Sequence, residues 1–288
     1  MILRPIQNNW GTVIEFDNPL DFFKVPAGYW RNLIYQRHLL VFKKMNFDKI
    51  DYAKFSLHFG DPWKNLDYSY SEEHKEDIDI GNGQIVTLSP FSNKTSSRRI
   101  KTEPMPYHAD IPNRSFRPFP FRSLWITKNP RPDISGITGF LNVTEDAFKC
   151  LTPAQQELLH RVKIIQQSWY EPGTDIQEHS LIKTHPVTGL KSLRLNYYNT
   201  ANFKGAWICG VKIDETLQSD CSLIPDFIKQ LLKFQELQYF HTWDTYDIAI
   251  YDNYSFIHNR TSLILEENEE RHFYRINIDH VSSDVYKI

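Results

Sequence analysis

Tyr107-His108-Ala109-Asp110 sets a histidine and a carboxylate two residues apart. On an extended strand alternate side chains leave the same face, so this imidazole and this carboxylate can reach one ion together. Two protein ligands are too few, and a third must come from elsewhere in the chain. Two histidines and one carboxylate on one face of an octahedral ion leave three positions open. That arrangement suits non-haem Fe(II) chemistry, in which a chelating co-substrate and O2 share the metal. The same donors also suit Zn(II). A His-x-Asp pair is common on protein surfaces, so its meaning depends on what accompanies it.

The carboxy-terminal part supplies the company. From Trp243 through Asp247, Asp252 and Asn253 to His258 and Thr261 the pattern reads as a strand, a turn and a histidine on the next extended segment. Asp252-Asn253 is expected to cap the turn that aims His258. After an acidic loop, Arg271 and Arg275 stand four apart on a strand pattern and therefore face the same side. Guanidinium is the group best shaped for gripping a carboxylate with two hydrogen bonds, so the pair could serve one or two anions. A second basic stretch interleaves Arg114, Arg117 and Arg122 with Phe116, Phe119 and Phe121, and reads equally as a pocket lining or as a cap on the core. His58, His160, His179 and His241 are expected to be solvated or structural. His185, followed by Pro186 and Gly189, belongs to a turn.

These residues need strands to hold them. Trp10 to Phe16 is β-rich and stops at Asn18-Pro19. Pro26 to Gln36 has helical apolar spacing, with Pro26 suited to a first turn. His38 to Phe42 reads as a buried strand, and Asp48 to Gly60 as a helix with an Asp start and a Gly stop. Residues 61–106 form a polar excursion with a hairpin signal at Gly81-Asn82-Gly83 and one short strand, Gln84 to Leu88. Its length suits a lid or binding loop. Strands are expected at Arg122 to Thr127, Ile137 to Val143, 162–170, 192–197, Asp247 to Asp252 and Phe273 to Asp279. Helices should start at Thr144 and at Thr152-Pro153, and another should run from Pro225 to Leu237. The result is a β-rich core with several helices and no regular βαβ alternation.

Composition bounds the rest. With 288 residues, 41% of them hydrophobic, the chain can bury a large core, and it is read as one domain spanning 1–288. The formal charge is −2, with 33 basic and 35 acidic side chains, so no basic field exists to hold nucleic acid. Only 11 glycines occur, and none forms the Gly-rich loop of a dinucleotide or phosphate site. Cys150, Cys209 and Cys221 follow no C-x-x-C pattern and read as reduced thiols. No membrane span and no signal peptide are expected, which suggests the cytoplasm. A homo-oligomer is compatible with the sequence.

Taken together, the segments resemble the TauD/TfdA superfamily of Fe(II)- and 2-oxoglutarate-dependent dioxygenases. That family carries a His-x-Asp pair, a distal histidine about 150 residues later and an arginine a little over ten residues beyond it; here Arg271 lies thirteen beyond His258. Its Trp…Asp…Asp-Asn segment is matched by Trp243, Asp247, Asp252 and Asn253. Its His-Pro-x-Thr-Gly…Leu…Asn segment is matched from His185 to Asn196, and its early His…Phe…Phe-Gly pattern by His38, Phe42 and Phe59-Gly60. The resemblance implies a double-stranded β-helix, or jelly roll, mainly β with helices on one outer face. It implies that His108, Asp110 and His258 bind Fe(II), and that Arg271 and Thr138 hold the distal carboxylate of 2-oxoglutarate. The family's Gly-Gly-Asp before that threonine is Ser135-Gly136-Ile137 here. Arg275 and the backbone N–H of Ile111 would meet an anionic group of a small substrate, whose aliphatic C–H is oxidised by O2 with release of succinate and CO2. Asp110 leaves no free halide position and argues against a halogenase. Short matches to isonitrile-pathway dioxygenases of the PvcB type raise desaturation as an alternative. A zinc-binding or non-catalytic jelly roll is the alternative of another class.

Overall fold

The computed structural model describes residues 1–63, 75–81, 83–94, 102–110, 120–167, 176–195 and 207–281. Ile111, Arg114, Phe116, Arg117, Phe119 and Asn196 lie outside them. The first half gives β1 (Ile2–Pro5), β2 (Thr12–Glu15), α1 (Ala27–Arg37), β3 (Leu39–Phe42), α2 (Lys49–Leu57), β4 (Glu76–Asp79), β5 (Ile85–Ser92), β6 (Met105–His108), β7 (Phe121–Lys128) and β8 (Thr138–Asn142). The second half gives α3 (Glu145–Lys149), α4 (Pro153–Arg161), β9 (Val162–Gln167), β10 (Ile176–Ser180), β11 (Ile182–Thr184), β12 (Lys191–Leu193), β13 (Trp207–Ile213), β14 (Thr216–Leu217), α5 (Leu223–Leu231), β15 (Gln238–His241), β16 (Ile248–Asp252), β17 (Phe256–Arg260) and β18 (His272–Ile278).

Two sheets make the core. Among the described residues the larger has eight strands in the order β1-β2-β3-β16-β7-β18-β5-β4, and the smaller has four, β15-β8-β17-β6. Period-two alternation sorts the side chains of the large sheet. Leu39, Val41, Ile126, Ala249 and Tyr251 turn inward and meet Phe140 and Phe256 of the small sheet. Leu40, Phe42, Trp125, Ile248, Ile250, Tyr274 and Ile276 turn outward and pack on Trp30 and Ile34 of α1 and on Tyr52 and Phe55 of α2. Both faces are therefore dry, which is why β3 and β16 read in sequence as unbroken apolar runs.

The back of the small sheet is covered as well. Leu141 and Ile257 share a cluster with Leu159 of α4 and with Ile224, Phe227 and Leu231 of α5, together with strands of a sheet ordered β10-β9-β13-β14. Helices thus flank both outer faces, not one. The small sheet's outer alternation is as apolar as its inner one and needs its own cover.

Local signals explain the helix limits. Pro26 precedes α1, and His38, in the left-handed region at φ 62°, ends it by donating its N–H to Ile34 O. His38 is therefore a helix cap, and the strand begins at Leu39. Asp48 accepts the N–H of Asp51 at the start of α2, and Thr152 with Gln155 forms a full capping box on α4 around Pro153. The Pro225 to Leu237 helix is shorter than its pattern suggested: α5 stops at Leu231 and a 3-10 turn at Gln235–Leu237 follows, tucking Leu237 into the core.

The polar excursion contains more regular structure than one short strand. Gly81 and Gly83, both at positive φ, close the expected hairpin, but it joins β4 to an eight-residue β5 that pairs with β18. Pro90 is tolerated because β4 begins opposite Leu88, so that among the described residues this part of β5 pairs with β18 alone. β1 escaped sequence reading because all four of its residues are exposed, so no burial pattern marks it.

Two glycines test this packing. A Cβ on Gly60, at the foot of α2, would lie 1.8 Å from the carbonyl oxygen of Asp279, whereas one on Gly28 in α1 would meet nothing within 4 Å. Gly60→Ala should cost about 1–3 kcal/mol in urea unfolding through forced displacement of backbone. Gly28→Ala should be neutral or stabilise by up to about 1 kcal/mol.

Candidate metal and co-substrate site

His108 ends β6 and pairs directly with His258 on β17, which puts the two imidazole rings 4.4 Å apart between centroids. Asp110 follows two residues on. One donor atom from each of His108, Asp110 and His258 lies within 4.8 Å of the others, close enough to share one ion. His108 Nδ1 sits 2.8 Å from Pro106 O, which fixes the tautomer with the proton on Nδ1 and the lone pair on Nε2.

Asp110 lies just past the strand, and its backbone is held by a side chain. Asn253 accepts the Asp110 N–H at 3.0 Å and donates to the Asp110 carbonyl at 2.8 Å. The expectation for Asp252-Asn253 was a turn cap. The structure divides the work: Asn253 grips the backbone of Asp110, and Asp252 holds the turn. Asp252 is fully buried and accepts the N–H of Tyr254 (2.8 Å) and the hydroxyl of Ser255 (2.5 Å), with His38 Nδ1 at 3.3 Å and His185 Nε2 at 3.4 Å. His185 Nδ1 accepts the N–H groups of Val187 and Thr188, so the neutral ring carries its proton on Nε2, toward Asp252. His185 is structural, as the turn pattern suggested.

A second buried carboxylate, Asp247, organises the segment before β16. It accepts the N–H groups of Asp244 and Lys44 and the ammonium of Lys43, with His241 Nε2 at 3.4 Å. The turn so fixed delivers Trp243, whose indole N–H donates to Thr138 Oγ1 at 2.9 Å. Thr138 Oγ therefore already accepts one bond, and its own hydrogen remains to be given to an acceptor.

Arg271 is buried, and its Nη1 donates to the carbonyls of Ser135 (3.2 Å) and Gly136 (2.9 Å), while its Nε finds no partner among the described residues. A buried donor left unpaired is costly, and a carboxylate is the natural acceptor. Burial, and then Arg260 nearby, pull the guanidinium down to about 9, so it stays cationic at neutral pH. Gly136 makes room for it: at φ +64° and with a Cβ position 1.3 Å from Nη1, no other residue fits.

Phe273 and Arg275 follow Arg271 on the inward face of β18. The Arg275 guanidinium lies 4.6 Å from the centre of Phe91, which stacks on Phe273. Its charge is felt at Asp110 and His258. Sequence reasoning placed Arg271, Arg275 and Thr138 near the histidines. It did not single out Tyr251 or Arg260, and left Arg122 between two roles. Tyr251 donates its hydroxyl to Asp110 Oδ2 at 2.7 Å, and Arg122 Nη1 pairs with Asp110 Oδ1. The available signals were a hydroxyl at an inward position of an aliphatic strand and a charge opening one.

The electrostatics set the ligands' protonation. Burial alone would raise the Asp110 carboxyl, but Arg122, His258, His108 and Arg275 outweigh it and hold it well below the usual carboxylate range. Burial pushes His258 down to about 3 against the pull of Asp110, and lowers His108 as well. Two neutral imidazoles and one carboxylate anion are the forms that bind a divalent metal.

Comparison with known proteins agrees with this geometry. The sequence model of the taurine catabolism dioxygenase TauD, TfdA family matches residues 3–277. No curated protein sequence matches. Solved structures share the fold at low identity. AAD-2 with Mn(II) and N-oxalylglycine is 18% identical over 98% of both chains, with a TM-score of 0.67. A taurine dioxygenase from Burkholderia xenovorans is 16% identical over 96% of this chain and 88% of that one, with a TM-score of 0.67. PvcB, an Fe, alpha-ketoglutarate dependent oxygenase from an isonitrile synthetic pathway, is 15% identical over 96% of this chain and 91% of that one, with a TM-score of 0.68. The family match over nearly the whole chain, on a jelly-roll core that brings two histidines and an aspartate together, shows that this protein belongs to the TauD/TfdA family of iron- and 2-oxoglutarate-dependent dioxygenases.

Proposed function

We propose that the chain hydroxylates an aliphatic C–H bond of a small anionic substrate, such as an amino acid or another carboxylate or sulfonate. His108, Asp110 and His258 would hold Fe(II), and Arg271 with Thr138 would hold the distal carboxylate of 2-oxoglutarate. The observation that carries this reading is the convergence of those three donors within 4.8 Å, in one core with a buried arginine whose Nε has no acceptor among the described residues.

The bound metal and co-substrate supply the oxidising chemistry, with succinate and CO2 as by-products. The protein's own residues bind, orient and desolvate. Thr138, its oxygen fixed by Trp243, gives a hydrogen bond to the co-substrate carboxylate, and Arg271 gives the charge. Arg275, two strand steps along and held over Phe91, meets the substrate's anionic group; the N–H of Ile111 is read as a second contact there. The apolar inner cluster around Phe140 and Tyr251 keeps water from the far side of the site. A zinc hydrolase would have no use for the Arg271–Thr138 arrangement. One domain is implied, since His108 and His258 lie on paired strands, β6 and β17, some 150 residues apart in sequence. The cytoplasm is proposed from the sequence reading, in which Cys150, Cys209 and Cys221 follow no disulfide or C-x-x-C pattern.

His258→Ala should lose Fe(II) binding by at least about a hundredfold in anaerobic calorimetric titration while its melting temperature is kept. A variant that bound iron as the parent does would refute the ligand assignment. Arg271→Ala should weaken 2-oxoglutarate by about 2–4 kcal/mol, read from the visible charge-transfer band of the iron chelate. Gly136→Ala, which leaves every charge in place, should weaken it as well, because the new methyl occupies the guanidinium's position. An unchanged affinity in both variants would remove Arg271 from the co-substrate site.

A further inference from the structure

We infer that Arg122 restricts Asp110 to one-oxygen ligation, reserving a metal position for the co-substrate and biasing the centre toward an anionic chelator. The inference rests on the reading that His108, Asp110 and His258 hold the metal.

Arg122 stands at the start of β7 and is buried between the sheets. Its Nη1 pairs with Asp110 Oδ1, and its Nε donates to Asn277 Oδ1 at 3.2 Å, from the inward face of β18. The guanidinium is thus anchored at both ends and does not swing. The other carboxylate oxygen, Oδ2, points the opposite way. It takes the hydroxyl hydrogen of Tyr251 at 2.7 Å and lies 3.8 Å from His258 Nε2. One oxygen is committed to a cation, and the other faces the imidazoles.

To chelate an ion with both oxygens, a carboxylate held in this way would have to share Oδ1 between the ion and the Arg122 guanidinium, whose positive charge opposes that. Asp110 therefore contributes one ligand atom, through Oδ2. The position that a second oxygen would fill stays open for a chelating 2-oxoglutarate. The guanidinium also adds a positive charge close to the ion. This disfavours a bare divalent cation and favours the dianionic co-substrate once the metal is in place. Arg122 is a positioning residue, and its role differs from that of an ordinary support for a ligand. Removing a simple support loosens the metal, typically by about 10–100-fold. Removing Arg122 should not.

The test uses the full chain and Mn(II), which binds without consuming O2. Mn(II) affinity is measured by calorimetry, followed by 2-oxoglutarate affinity for the Mn(II) protein, in wild type, Arg122→Met and Arg122→Lys. The expected result for Arg122→Met is Mn(II) affinity kept or raised by up to about tenfold, with 2-oxoglutarate weakened by about tenfold or more. Arg122→Lys, which restores the cation but not the two-point anchoring, should recover part of the 2-oxoglutarate affinity lost in Arg122→Met. Loss of both affinities together in Arg122→Met would make Arg122 a plain support, and retention of both would leave it without a role; either overturns the inference. If Arg122→Met does not fold, Arg122→Gln, which keeps a hydrogen-bond donor near Asp110 and removes the charge, takes its place with the same expected and overturning outcomes. A wild-type protein that takes up no Mn(II), or a His258→Ala variant that takes it up normally, would instead show that the metal-site reading is wrong.

Discussion

The side chain of Asn253 satisfies both backbone groups of Asp110, and the geometry of the centre depends on that exchange. Asp110 sits just beyond a strand, where no ladder partner fixes its backbone. An aspartate whose main chain could drift would carry its carboxylate away from the two imidazoles. The amide of Asn253 replaces the missing ladder. It can do so because the next residue toward the amino terminus, Asp252, is locked from several sides by groups that lie far apart in sequence: His38 at the end of α1, His185 in the β11–β12 turn, and the local Tyr254 and Ser255. Burying a carboxylate so deeply is unfavourable unless its lone pairs are filled. Here they are filled by the connections that fix the turn.

This explains how a short-range motif could be legible while its purpose was not. His38, His185, Asp252 and Asn253 were each visible as pieces of a family pattern. What joins them is a convergence in space, across gaps that no local spacing rule covers. The strands β3 and β16 were legible because both of their faces are apolar, β18 because its apolar residues Tyr274, Ile276 and Ile278 alternate with polar ones, and the capped helices because their end residues are specific. β1 was not legible, since it is exposed along its whole length. The long strand inside the polar excursion was underestimated because its alternation includes a proline and several small polar residues. The cover on the back of the small sheet was missed because burial on one side of a strand does not tell what lies on the other.

The site shows the same division. The His108-x-Asp110 pair and the shared face of the two arginines follow from residue type and spacing, and the roles of His258, Arg271 and Arg275 from the family resemblance. Of the partners that decide their state, Arg122 and Tyr251 come from strands that pair elsewhere and meet the centre through the inward face of a sheet, and Trp243 comes from the turn before β16. Trp243 is the clearest case. Its match to the family segment gave no role, and the structure gives it one: its indole N–H occupies the oxygen of Thr138 and so determines which way that hydroxyl can point.

The inward face of β18 also acts as a ruler. Arg271 stands immediately before β18 and Arg275 within it, and four residues of extended chain span about 13 Å between Cα atoms. No side-chain substitution alters that interval; only an insertion in the strand would, at the cost of its register with β7 and β5. In the proposed reading the interval fixes how far the substrate's anionic group lies from the co-substrate's distal carboxylate, and so how many bonds separate that group from the carbon that is attacked. A lineage that changed substrate within this fold would find it easier to keep the anion in place and vary the rest of the molecule than to move the anion along the strand.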